Sequence, residues 1–446
     1  MSEMNPWRYD SVFAQASFQF CGHLDEYLIR HARHLGLLYM QTRFGTGGHL
    51  LRIYEEGELV EERRLSSAKP IPKYYGLWLW HWHRELRRFA RRHEGTVALF
   101  EHPLGGVGQV FRRKVKHVFW QWDYFPSGSF VDRLFNAVAR HCARTCARYV
   151  PLTGAIARAM GVPDAKPVML GVTPPTRFGD PNSNRILMVG QLRDGQGIED
   201  VLDFLAAHKE YSLSLMGAAA NGFEKTIAEC IAAADMTDRI YFPNRFVTED
   251  ELRAEAAKCF VSLALYDTSP SNLTHYADPG KVKSSIEMGL PIVMTRISDI
   301  VSFVEKFKAG EVVDSLDALP AAVDRIRANY SHYQSGLRAF TEHFDCERYY
   351  ADVLIAVNCN QSADLVSSAY ADKFQSASND ERSVCGGVHP FAAAREQTVA
   401  DLGRVRVLAQ ELSAELVRTV QHGEGASVRE ISEVVEKSDG SIASVL

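Results

Sequence analysis

The sequence predicts an α/β protein made of two mostly parallel sheets facing across a cleft, and three observations carry that expectation. From residue 185 onward, short apolar runs alternate with segments of helical periodicity, the pattern of repeated β-α-β units. The first 172 residues repeat the alternation more loosely. Between the two parts, residues 171–184 hold Pro174, Pro175, Gly179 and Pro181, the composition of a stiff linker beside a cleft. A first domain is therefore expected over 1–172 and a second over 183–340.

Strands of the first domain are expected at 11–18, 36–42, 96–100, 118–122 and 149–152, with helices near 23–35, 77–92 and 131–147. Residues 50–65 alternate apolar and polar side chains about Glu56-Gly57, so a hairpin should decorate this sheet. In the second domain six runs read as strands: 186–189, 213–216, 240–242, 260–266, 292–294 and 312–313. Ile198, Val201, Leu202 and Leu205 recur at helical spacing between them, as do Phe223, Ile227 and Ile231. Right-handed crossovers in such a sheet place ligands at the carboxyl ends of the strands, here loops 190–197, 216–220, 244–247 and 267–281. Residues 361–446 begin polar and Ser-rich and continue into a helical stretch through Val399, Leu402, Leu408, Leu412 and Leu416. They read as a flexible linker and a helical C-terminal appendage that docks on the body or on a partner protein.

Bulk composition narrows the class. With 446 residues, 46% hydrophobic and 24% charged, the chain has the make-up of a globular protein of about two or three domains. No apolar run approaches the roughly 18 residues that span a bilayer. The opening MSEMNPWRYDS lacks the basic and apolar regions of a secretory signal, so the expected location is the cytoplasm. The eight cysteines show no paired CxxC spacing and no histidines in ligand register, so they read as reduced core residues and no metal is expected. Residues 1–180 carry 25 Lys+Arg against 16 Asp+Glu, while the remainder carries 25 against 39. A basic first half suits an acidic or diphosphate-linked lipid acceptor or an anionic membrane surface, with a solvated charged face as the alternative. Nucleic acid is not an expected partner.

Residues 277–295, ADPGKVKSSIEMGLPIVMT, are the most informative stretch. Asp278 is placed to cap a helix that Pro279 opens, and Lys281 then falls in its first turn. Backbone N–H groups, the positive end of the helix dipole and an ammonium converge there, which is an arrangement that holds phosphate. Gly289 and Pro291 end the helix, and Ile292-Val293-Met294 continues as a buried strand. The competing reading is a capped helix whose lysine is merely solvated.

These pieces together resemble the two-domain GT-B glycosyltransferases over residues 1 to about 358. LMVGQLRDGQGIEDVLDFL (187–205) is similar to that family's first donor-domain strand and helix, and SLSLMGAA (212–219) to its next strand. FPNRFVTEDELRAEAAKCFVSLALY (242–266) resembles the following loop and helix, which commonly face the nucleotide base. ADPGKVKSSIEMGLP resembles the PxK…GxP segment of polysaccharide-building, glycosyltransferase family 4-like members. FDCERYYADVL (344–354) resembles the helix that crosses back to the first domain, giving a crossover helix over 341–360.

The resemblance implies two Rossmann-like domains, the first on the acceptor side and the second binding a nucleoside-diphosphate sugar. It implies a metal-independent transfer, needing no cofactor, to a glycan or lipid-linked acceptor. Gly190, Arg193, Lys281 and Ser284 become the donor-binding candidates, with Ser284 a ribose contact or a small packing residue. Gln191 and Gln196 stand where the family has Arg and Lys, and its carboxylate pair falls on Tyr276 and Ser284. Two alternatives remain: a nucleotide-sugar epimerase, and a non-catalytic partner subunit of the same fold.

An inverting transferase needs a base on the first domain. Asp123 is the candidate, since it follows HVFWQW at a strand's carboxyl end, where Trp120, Trp122 and Tyr124 are expected to stack on sugar or to raise its pKa. An Asp opening a turn before Pro126 is the competing reading. Glu101 and His102 in LFEHPLGGVG are second candidates for touching acceptor or phosphate. Residues 74–93 place Trp78, Trp80 and Trp82 beside Arg84, Arg87, Arg88, Arg91 and Arg92. That composition fits a helix that buries its aromatics, or one that makes peripheral membrane contact.

Overall fold

A computed structural model describes residues 7–16, 23–40, 48–66, 75–106, 115–126, 130–193, 195–220, 222–233, 235–269 and 271–354. The expected tail helix lies outside the described residues. In chain order the first half forms β1 (Tyr9–Ala16), α1 (Leu24–His31), β2 (Ala32–Met40), β3 (His49–Glu55), β4 (Glu58–Arg64), α2 (Tyr75–Arg92), β5 (Val97–Phe100), β6 (Lys116–Gln121), α3 (Phe130–Thr145), β7 (Arg148–Pro151) and α4 (Gly154–Ala159). The second half forms β8 (Arg185–Val189), α5 (Ile198–Ala207), β9 (Ser212–Met216), α6 (Phe223–Ala233), β10 (Ile240–Tyr241), α7 (Glu249–Ala256), β11 (Val261–Ala264), α8 (Gly280–Glu287), β12 (Ile292–Thr295), α9 (Ile300–Phe307), β13 (Gly310–Val313), α10 (Leu319–Ala328), α11 (Tyr330–His343) and α12 (Cys346–Leu354).

The first sheet runs β4-β3-β2-β1-β5-β6-β7 and the second β10-β9-β8-β11-β12-β13. Every neighbouring pair in the second sheet is parallel. The first sheet is parallel except at β3 and β4, which form the expected hairpin on its edge. Strands β5, β11 and β12 are buried at every position, because helices cover both faces of a parallel sheet. In each sheet the strand order reverses once, between β1 and β5 and between β8 and β11. The crevice at such a reversal is where open α/β sheets receive ligands.

Several boundaries differ from expectation for local reasons. The helix expected over 23–35 stops at His31, because Ala32 already pairs with Tyr9 of β1 and is fully buried. The strand expected over 260–266 ends at Ala264, beyond which the Tyr266 N–H bonds to Thr295 Oγ1 at 2.8 Å instead of continuing the ladder. The hydrophobic side of the Trp-rich segment turns inward, burying Trp78 and Trp82. Trp80 stays exposed beneath the Arg84 guanidinium, 4.1 Å from its ring centre. Cys142, Cys259 and Cys346 are buried, Cys146 and Cys230 are half-buried, and all five are unbridged. No helix among the described residues is long and apolar enough to cross a membrane.

Two chain segments join the sheets, and they are fastened to each other. Val172 pairs with Asp345, its N–H bonding to Phe344 O at 2.9 Å and its carbonyl accepting from the Cys346 N–H. Helix α12 then packs in the core of the first sheet, with Tyr350 against Tyr27 and Trp120.

Candidate functional site

The loop after β8 and the start of α8 meet at the carboxyl edge of the second sheet, at its β8/β11 reversal. The loop is held by backbone pairing: Gly190 N–H to Met216 O, Leu192 N–H to Ala218 O and Ala220 N–H to Leu192 O. Gly190 adopts φ 117, and a Cβ there would collide with the Lys281 side chain. The lysine stem therefore lies flat over the glycine turn, and only glycine permits that approach.

Lys281 occupies the first turn of α8, as expected. Its Nζ donates to Gln191 O at 3.2 Å and to Gln196 Oε1. Burial, and secondarily the nearby Arg193, lowers its pKa from the usual 10.5 to about 8. Among the described residues neither Lys281 nor Arg193 makes an ion pair: Lys281 rests on two oxygen dipoles, and the exposed Arg193 lies near it. Gly280 at the helix start has open space in place of a side chain. Ser284, one turn further along, is half-buried on the same side of the helix as Lys281. Gln196, where the resembling family carries a cation, is the group that orients the lysine.

Asp278 has a different role from the expected cap. Pro279 occupies the N-cap position and no side chain caps the helix. Asp278 is instead buried, its Oδ2 accepting from the Leu170 N–H at 2.7 Å and from Lys283 Nζ at 2.6 Å. Lys283 also donates to the Leu170 carbonyl. At the far end of α8, Glu287 Oε1 accepts from the Thr173 N–H at 2.6 Å, from Thr173 Oγ1 at 3.1 Å and from His23 Nε2 at 2.8 Å. Helix α8 is thus bolted along its length to the segment that joins the two sheets. Sequence reasoning missed Lys283, Glu287 and His23, because their partners are far away in the chain. Gly289, at φ 76, closes the helix against the Arg177 backbone, as its placement suggested.

Asp123 follows β6 at the carboxyl edge of the first sheet and is exposed. Its neighbours do not form the expected stacking surface. Trp120 is buried with Nε1 on the Val168 carbonyl at 2.8 Å, and Trp122 packs edge-on against it. The aspartate is exposed and is not enclosed by these rings. Tyr124, however, reaches across to the second half, its ring 4.6 Å from that of Tyr276, while Thr153 Oγ1 donates to the Tyr276 carbonyl at 2.6 Å. Asp123 therefore lies beside a contact between the two halves, next to the segment leading into α8.

Glu101 is buried at the end of β5. His102 packs edge-on to both Trp78 and Phe135, and its Nδ1 accepts from the Leu104 N–H at 3.3 Å. Burial drops its pKa to about 4. The ring is neutral at physiological pH, which leaves it unsuited to pairing with phosphate as a cation. A surface cavity lined by Pro174, Phe178, Arg338 and Arg348 lies along the joining segment. Among the described residues one group could hold a metal, His34, Glu55 and His93, which stands at the opposite end of the first sheet.

No protein-family model matches the sequence, and no curated protein is similar to it in sequence. Solved structures are similar in fold. Sucrose-phosphate synthase from Thermosynechococcus elongatus superposes with a TM-score of 0.60 at 13% identity, over 77% of this chain and 97% of that one. HepE from Anabaena, in complex with UDP-glucose, gives 0.55 at 13% identity over 78% and 99%. A glycosyltransferase from Rickettsia africae gives 0.54 at 12% identity over 80% and 100%. The architecture that these two sheets, their joining segments and the returning α12 build is the GT-B fold of glycosyltransferases.

Proposed function

We propose that the protein is a glycosyltransferase that moves a sugar from a nucleoside-diphosphate donor to a glycan or lipid-linked acceptor. The observation that carries this reading is Lys281, laid over the Gly190 turn at the amino end of α8 with Arg193 nearby and with no ion-pair partner for either among the described residues. As the sugar leaves, negative charge develops on the diphosphate, and preformed cations and a helix N-terminus stabilise it without reorganising. In this reading the transfer needs no metal, because those groups supply the charge that an ion would. Gly190 allows the close approach, and Ser284, one turn along α8 from Lys281, is the candidate contact to the ribose. HepE is known with UDP-glucose bound, which makes UDP the first nucleotide to test.

Asp123 is the proposed base, taking the acceptor hydroxyl's proton. Glu101 and His102 lie on the same edge of the first sheet, His102 as a neutral hydrogen-bonding group toward an acceptor. The basic first half supports an acidic or diphosphate-linked acceptor.

Calorimetric titration with UDP tests the donor site. One charge-assisted phosphate contact is worth about 1.5–3 kcal/mol, so Lys281→Ala weakens binding roughly ten- to a hundredfold. Unchanged affinity removes Lys281 from the site. Asp123→Asn should keep UDP affinity and lose transfer of labelled sugar, and full transfer by that variant ends the base assignment.

A further inference from the structure

A second constellation stands at the end of the first sheet remote from the donor loops. His34 and Glu55 face each other directly across the antiparallel pair β2–β3, and His93 follows α2 in the turn into β5. The Glu55 carboxylate is shared: Oε2 meets His34 Nδ1, and Oε1 lies 3.7 Å from His93 Nε2. The two imidazoles stack with centroids 4.4 Å apart and planes at 29°. One ligand atom from each residue comes within 4.8 Å of the other two. The side chains are 24%, 33% and 14% exposed, so water can complete a coordination shell.

We propose that His34, Glu55 and His93 bind a divalent transition-metal ion of the Zn²⁺ or Ni²⁺ class. Two imidazole nitrogens and one carboxylate oxygen are a donor set that such ions prefer, whereas Mg²⁺ and Ca²⁺ favour oxygen alone. The site is preorganised by backbone rather than by loops. Sheet register sets His34 against Glu55, and the Thr96 hydroxyl donates to the His93 carbonyl at 2.6 Å while lying 3.0 Å from Ser11 Oγ on β1. The ion would replace the proton between His34 and Glu55 and tie β2, the edge hairpin and the end of α2 together. It lies at the amino end of the first sheet's parallel strands, opposite the carboxyl edge that carries Asp123, so its role is to brace the sheet and it takes no part in sugar transfer. Residues 34, 55 and 93 share no short spacing, which is why a linear scan for ligand motifs passes over them.

The test uses the full chain stripped with EDTA. Zn²⁺ is titrated calorimetrically and Co²⁺ by its visible absorption, with Mg²⁺ as the hard-ion control. Expected are one tight site per chain, a Co²⁺ spectrum of a low-coordinate nitrogen–oxygen site, and a rise in melting temperature with Zn²⁺ but not Mg²⁺. Loss of even an outer partner of a metal site costs about 10–100-fold, so His93→Ala and Glu55→Gln should each weaken Zn²⁺ at least about tenfold and abolish the Zn²⁺-dependent rise. Each variant is compared with itself with and without the ion, which separates loss of the site from loss of fold. His208→Ala, at a surface His–Glu pair elsewhere, should bind as the parent does. Absence of a tight site overturns the proposal, as does undiminished binding in both His93→Ala and Glu55→Gln.

Discussion

Lys281 shows how one side chain can be both legible and incompletely read. Its place in the first turn of α8 followed from Pro279, the glycines and the strand after them, all local chemistry. Its depressed pKa did not, because burial and the approach of Arg193 depend on how the β8 loop folds back. That pKa has a measurable consequence. An ammonium near 8 is partly deprotonated just above neutrality, and a diphosphate beside it raises its proton affinity. Nucleotide binding at pH 8 should therefore take up a fraction of a proton, seen as a dependence of the calorimetric enthalpy on the buffer's ionisation enthalpy. At pH 6.5 the uptake should vanish, since the lysine is already charged. Lys281→Arg should remove the uptake at pH 8 while keeping binding, because a guanidinium does not titrate there. Binding without proton uptake at pH 8 would place the anion elsewhere.

Helix α8 was legible as an element, but its fastening to the rest of the molecule was not. Asp278 was read as a cap because an Asp before a helix usually is one. The structure gives it Lys283 and the Leu170 backbone, a choice that depends on the joining segment lying alongside. The side chains of Asp278 and Lys283 are 0% and 4% exposed, so neither charge can be rehydrated once its partner is gone. Asp278→Asn or Lys283→Met should each cost about 3–5 kcal/mol in urea unfolding, whereas the double substitution Asp278→Leu with Lys283→Met should cost less than either. A double variant worse than both would mean that the pair is favourable in its own right. The strands were read more reliably than any other element. Parallel strands covered on both faces are continuous apolar runs, as β11 and β12 are, and the other four of the second sheet were read from shorter apolar runs, down to the two-residue edge strand β10. The start of β2 did not, since Arg33 and His34 interrupt the run and only pairing with β1 makes them a strand.

At the scale of the molecule, the two-sheet architecture was readable because each half repeats one local unit, while contacts between the halves were invisible in the sequence. His23 and Glu287 are one such contact, separated by 264 positions and 2.8 Å apart. His23 belongs to the first half, at the start of α1 with φ 60, and Glu287 to the end of α8. Glu26 lies 3.4 Å from the other ring nitrogen. The Glu287 hydrogen bond and the two carboxylates raise the His23 pKa from 6.5 to about 9 against the opposing effect of burial. A group whose folded pKa exceeds its unfolded value binds more protons when folded, so its contribution is complete below about pH 6.5 and is lost as pH rises through 9. The shift corresponds to at most about 3 kcal/mol. Lys281 acts with the opposite sign, because its folded pKa is depressed and stability gains with pH above about 8, so the bare pH profile mixes both. The difference between parent and His23→Gln isolates the histidine: melting temperature should fall on going from pH 6 to pH 9.5 by more in the parent than in the variant, and the two should converge at the alkaline end. Parallel profiles would show that this ion pair contributes nothing to holding α8 against the first half. Convergence would make the clamp between the two halves strongest below about pH 6.5, where Lys281 is also charged, and weakest at the alkaline end.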